Sequence, residues 1–223
     1  MKVAPQKARS RACIPAAIFA LAVARLAPGA EPTLLSEREY KDHGSSQGVV
    51  LLHVNWGRKW KCGGFENAQL ESITFARRSG DGASTGTTTL ELPTSSKLLA
   101  DDAFKPYAIL VTPGEYILSG YDLKTARSVS DIAHIRAEES QLVRNGEPVG
   151  GAFSVAPGEV VYIGHIGLDC AHDPIPWRYY IEGKEEFDGY VAGFRKRFPF
   201  IGNTPVVYRL LTTKLFGEAY SLD

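Results

Sequence analysis

The sequence predicts a mostly β protein, an antiparallel β-sandwich with one C-terminal packing helix. Three features point there: nine short apolar or alternating runs separated by turn residues, a strand–turn–strand motif that occurs twice, and one late segment with helical periodicity. The runs are Val49 to Asn55, Leu70 to Arg77, Thr87 to Leu92, Tyr107 to Thr112, Tyr116 to Leu123, Ile132 to Ala137, Gly151 to Val155, Val160 to Leu168 and Val206 to Leu211. Each has the length of an ordinary strand, and Val, Ile, Thr, Tyr and Phe recur in them.

The repeated motif reads YAILVTPGEYILSG from Tyr107 to Gly120 and GAFSVAPGEVVYIG from Gly151 to Gly164. Proline presets φ at the first turn position and glycine takes the positive-φ position, so each copy is predicted to be a β-hairpin with a type II-like turn. The stretch Ser79 to Gly86 reads as an exposed loop joining two antiparallel strands. Asn145-Gly146 reads as a tight turn between Val143 and Val149.

The helix is expected over Glu185 to Arg197, where Phe187, Val191, Phe194 and Phe198 form one apolar stripe. Acidic Glu185, Glu186 and Asp188 stand at its start and basic Arg195, Lys196 and Arg197 at its end, which suits the helix dipole. Pro199 stops it.

Residues 1–30 have the pattern of a cleavable signal peptide. Lys2, Lys7, Arg9 and Arg11 precede an apolar run from Ala12 to Ala24, and small residues allow a cut after Ala24 or after Ala30. The run contains Pro15 and is too short for a membrane span, which needs about 20 apolar residues. Residues 31–47 are polar and are expected to form a loosely packed lead-in to a single domain over 48–223. Removal of residues 1–24 takes four basic and no acidic residues from a chain of 25 basic and 25 acidic ones, leaving a mildly acidic protein. That balance gives no electrostatic reason to bind nucleic acid or an anionic membrane, and with the short apolar run gone no stable membrane span is expected in the mature chain.

Cys13 leaves with the leader. The pair that remains, Cys62 and Cys170, is expected to form a disulfide in an oxidising compartment, so the protein is read as periplasmic or secreted.

The segments YAILVTPGEYILSGYDL and GGAFSVAPGEVVYIGHIGL, with the late helix and FPFIGNTPVVYRLL after it, resemble a group of uncharacterised bacterial envelope proteins, secreted or lipid-anchored. The resemblance covers Tyr107 to Leu211 and implies an envelope location and a transthyretin-like or carboxypeptidase-regulatory-like β-sandwich. It transfers no catalytic residues, and the chain lacks the cysteine that ends the leader of lipid-anchored members.

No catalytic signature stands in a fitting context, so a non-enzymatic protein without a cofactor is expected. Gly44-Ser45-Ser46-Gln47-Gly48 matches the nucleophile-elbow letters, but an elbow needs a strand before the serine and a helix after it. Gly80, Gly82 and Gly86 open no helix and precede no suitably spaced lysine, so they form no phosphate cradle. His165, His172 and Asp173 are the residues of the alternative reading, a small envelope hydrolase or metal-binding protein. Glu115 and Glu159, equivalent in the repeat, are expected to be solvated turn residues, and His53 and His165 to be hydrogen-bonded sheet residues without a sequence-local carboxylate partner.

The expected binding surface is the stretch from Asn55 to Phe65, with Trp56, Arg58, Lys59, Trp60 and Phe65 as contact residues. Tryptophan and arginine dominate interface hot spots, and loops on a rigid sheet often carry recognition. A Cys62–Cys170 bridge would pin this loop near Trp177 and gather all three tryptophans. The partner would be another envelope component, a protein or a glycan.

Overall fold

A computed structural model of the protein describes residues 35–79, 84–91, 101–179, 181–218, 220 and 222. The proposed leader and its cut sites lie outside these residues, as do Gly80, Gly82 and Leu92. Among the described residues, no helix is long and apolar enough to cross a membrane.

The chain is mostly β, with eleven strands in two sheets among the described residues. β1 (Gly48–Asn55), β5 (Phe104–Val111), β9 (Val160–Asp169), β10 (Ile175–Tyr179) and β11 (Val206–Tyr208) form sheet A. β2 (Lys59–Cys62), β3 (Phe65–Arg78), β4 (Ser84–Glu91), β6 (Gly114–Ser128), β7 (Asp131–Glu138) and β8 (Ala152–Val155) form sheet B. All nine expected strands are present in part or whole. β2 and β10 were not expected, because one is short and basic and the other contains Pro176.

Among the described residues three α-helices accompany the sheets: α1 (Glu37–His43), α2 (Glu139–Leu142) and α3 (Gly183–Arg197). The two sheets close on a core that includes Val50, Leu52, Val54, Leu70, Ile73, Leu123, Val161 and Ile163. The outer face of sheet A is covered in turn by α3, with Val49, Leu51, Val160 and Tyr162 packed on Phe187, Val191, Phe194 and Phe198. β1 is therefore buried at every position, as expected of a strand covered on both faces.

The structure corrects two points of strand arrangement. Sheet A is mixed, because β1 and β11 both run parallel to β9. The Pro-Gly-Glu motifs are not hairpins: the first carries the chain from β5 in sheet A to β6 in sheet B, and the second returns it from β8 to β9. The second turn is type II-like, with Glu159 N–H bonded to Ala156 C=O and Gly158 at φ +72°, yet its flanking strands diverge. The second corner lies close against the start of β1, where glycine leaves the room; a Cβ on Gly48 would lie 2.2 Å from Val155.

The expected loose lead-in is instead ordered from Leu35 onward. Ser36 and Glu39 form a reciprocal capping box that starts α1. Leu35 is buried and its N–H bonds Ala108 C=O, while the Tyr40 ring packs on Phe200 and its hydroxyl lies 3.1 Å from Thr204 Oγ1. α1 leads through Ser46 into β1, the reverse of the strand-to-helix order of a nucleophile elbow.

Candidate binding site on a disulfide-pinned hairpin

The basic, aromatic stretch after β1 folds as the β2–β3 hairpin, in which Trp60 pairs with Asn67 and Cys62 with Phe65. Its turn is built by Gly63 and Gly64, both at positive φ. Cys62 is bonded to Cys170, just past the end of β9, which ties a sheet B hairpin to sheet A. The approach is close: a Cβ on Gly63 would sit 2.1 Å from His172 O and 2.6 Å from Pro174 Cδ.

The hairpin root is fixed by polar contacts. Gln69 Nε2 donates to Trp56 O at 2.9 Å, and Gly57 N–H donates to Asn55 Oδ1 at 2.8 Å. Asp102 accepts from Lys59 Nζ and from Asn55 Nδ2, and those hydrogen bonds hold its carboxyl below the usual carboxylate range.

The two tryptophans of this stretch have opposite surroundings. Trp56 is 1 % exposed, part of the inter-sheet core, and donates from Nε1 to Tyr107 OH at 2.6 Å. It is a core residue and does not belong to a binding surface. Trp60 is 62 % exposed, with the Arg58 guanidinium 5.8 Å above its ring. Phe65, across from Cys62, lies under the Arg127 guanidinium at 4.8 Å. Trp177 is half-buried on β10, paired with Gly167. With Trp56 sealed in the core, the bridge does not gather three tryptophans onto one surface.

The structure does not unite the residues of the alternative reading. His172 and Asp173 are exposed in the β9–β10 turn, whereas His165 is 5 % exposed under α3. Among the described residues, the group whose ligand atoms lie within 4.8 Å of one another is Glu71, Asp122 and His134, on three strands of sheet B. There Asp122 already holds Arg136 Nε at 2.7 Å and His134 Nδ1 at 2.8 Å.

His53 and His165 are sheet residues, and they adjoin each other. They stack across β1 and β9 with ring centroids 4.4 Å apart, and the Tyr162 hydroxyl lies 2.7 Å from His165 Nδ1 and 3.5 Å from His53 Nδ1. Tyr190 and Phe194 of α3 roof the pair. Burial, with the neighbouring His165, pushes His53 down to about 3; burial pushes His165 down to about 4 and the Tyr162 phenol up. Among the described residues, the side-chain hydroxyl that both imidazoles face is that of Tyr162.

No family model, curated protein or solved structure matches the chain.

Proposed function

We propose that this is an exported, non-enzymatic β-sandwich that binds an acidic surface of another envelope protein through the tip of the β2–β3 hairpin. The observation that carries the reading is Trp60, a large aromatic left 62 % exposed beneath Arg58 on a hairpin held by a disulfide. A rigid aromatic flanked by cations supplies desolvated contact area at low entropic cost, the usual make-up of an interface hot spot. Arg58, Lys61 and Arg127 give the tip a local positive charge on a chain that is net neutral, and mildly acidic once residues 1–24 are removed, and this favours an acidic partner.

Export is supported by the Cys62–Cys170 bridge, which belongs to oxidising compartments, together with the basic-then-apolar opening of the sequence. The resemblance to transthyretin-like envelope proteins points the same way.

Side-by-side pull-downs from envelope extract with the wild type, Trp60→Ala and Arg58→Glu test the site. The expected result is one protein retained by the wild type and lost with both variants. Equal retention by all three would overturn the hairpin as the surface, and selective retention of a glycan would overturn the protein partner.

A further inference from the structure

A second site lies at the other end of β3. Arg77 is twelve residues beyond Phe65, which at a rise of about 3.3 Å per residue places it roughly 40 Å from the hairpin turn. There β4 and β5 are edge strands of their sheets. A pocket of about 300 Å³ lies against both, lined by Arg77, Gln47, Thr85, Thr87, Thr112 and Tyr116 among others. That volume stands at the lower end of small-molecule sites and suits a ligand the size of one monosaccharide.

Local backbone irregularity builds the pocket. Ala76 pairs with Thr87 and Arg77 with Thr85, so Gly86 is the extra residue of a β-bulge, at φ +70° with open space where a Cβ would stand. Bulges re-aim neighbouring side chains and leave backbone groups out of the ladder. Opposite, Gly114 of the first Pro-Gly-Glu corner leaves room for the Arg77 stem; a Cβ there would press on Arg77 Cδ at 3.2 Å. Tyr116 is fixed by its hydroxyl, which donates to Thr112 O at 2.7 Å.

The chemistry of the lining is specific. Arg77 is half-buried and has no ion-pair partner among the described residues, whereas its neighbour Arg78 faces Glu115 and donates to Gly146 O. A guanidinium fork without a carboxylate, in a pocket, fits a carboxylate bidentately. Four threonines and a glutamine around it offer donors and acceptors for hydroxyl groups, and the buried Tyr116, stacked on Phe153, and Val111 form the apolar floor.

We infer that this pocket binds a hydroxylated carboxylate of monosaccharide size, a uronic acid residue being the chemical type, with Arg77 as the carboxylate anchor. The site is independent of the hairpin and its test does not depend on a protein partner.

Isothermal titration of the oxidised protein with galacturonate, galactose and inorganic phosphate, in low salt at pH 7, decides the matter. Galacturonate should bind at least tenfold more tightly than either of the others. Arg77→Gln should weaken it at least tenfold, Arg77→Lys by less, and Thr87→Val severalfold, with melting temperatures unchanged. Absence of galacturonate binding, equal affinity for galactose, or full affinity in Arg77→Gln would each overturn the proposal. Phosphate binding as tight as galacturonate would overturn the sugar-acid specificity. If Arg77→Gln does not fold, Arg77→Lys and Thr87→Val carry the same test.

Discussion

The imidazoles of His53 and His165 lie face to face, 4.4 Å between centroids and 10° from parallel, on adjacent parallel strands and beneath α3. The titratable groups facing them are Tyr162 of the same sheet and Tyr190 and Glu186 of the helix. Burial favours the neutral rings, His53 falling to about 3 and His165 to about 4 from an ordinary 6.5. The unfolded chain therefore takes up protons that the folded chain refuses between pH 6.5 and about 4. Stability is fully present above pH 6.5 and is lost as the pH falls, with a slope approaching about 1.4 kcal/mol per pH unit for each histidine. Urea midpoints at pH 7 and pH 5 check this. The wild type should be clearly weaker at pH 5, and the His53→Gln/His165→Gln double variant should lose much of that difference; an undiminished slope in the double variant would refute the neutral pair.

The pairing of these histidines shows where sequence reasoning ended. A regular strand puts residues three apart on opposite faces, so Tyr162 and His165 should not share one. The register against β1 shifts between Leu51 and His53, where Gly164 sits at φ +112°. That bulge sends Ile163 and Ile166 inward and turns His165 outward beside Tyr162. Alternation, turn residues and the stripe of α3 were local signals that located the strands and the helix, and the cysteine count alone paired Cys62 with Cys170. Which sheet a strand joins depends on contacts far apart in sequence, and so the Pro-Gly-Glu corners were misread. Trp56 and Trp60 differ by four positions and by everything that matters to function, because one precedes β2 at the core boundary and the other faces outward on it.

That difference predicts divergent mutant behaviour. Trp56→Ala removes a fully buried ring and should cost about 3–5 kcal/mol, enough to depress the yield of folded protein. Trp60→Ala removes an exposed one and should change stability by no more than about 0.5 kcal/mol while abolishing partner capture. Chemical denaturation of both variants checks the pair, and a large stability loss in Trp60→Ala would reassign that residue to structure.

Cys62 and Cys170 are 108 residues apart in sequence. Cross-linking so long a loop restricts the unfolded chain, so Cys62→Ser/Cys170→Ser should lower stability by about 4 kcal/mol, a melting shift of roughly 10 °C. Gly63→Ala should also destabilise, because its Cβ would collide with His172 O and Pro174 in a left-handed backbone position. In the disulfide-less variant the same substitution should cost less, since the hairpin is then free to move away. Thermal melts of the three variants test this, and equal costs of Gly63→Ala with and without the bridge would show that the disulfide does not enforce the approach.

Glu115 and Glu159 occupy the same place in the repeat but not the same chemistry. Glu159 takes Arg209 bidentately, at 2.7 and 2.8 Å, and also accepts from Ala156 N–H at 2.9 Å; the Arg209 hydrogen bonds hold its carboxyl below the usual range. Arg209 in turn donates to Ser154 O, so the pair ties the β8–β9 corner to the chain after β11. Glu115 is exposed and reaches Arg78 at 3.8 Å. Glu159→Gln should therefore cost about 1–2 kcal/mol at neutral pH, and Glu115→Gln less than about 0.5 kcal/mol. Because the folded Glu159 carboxyl is more acidic than the unfolded one, its contribution is present above the ordinary value of 4.5 and fades as the pH falls below it. Urea denaturation of both variants at pH 7 and pH 4 separates the two corners: a deficit in Glu159→Gln that is large at pH 7 and shrinks at pH 4 is the expected signature, and equal deficits in the two variants would mean that the repeat is held by its turns alone.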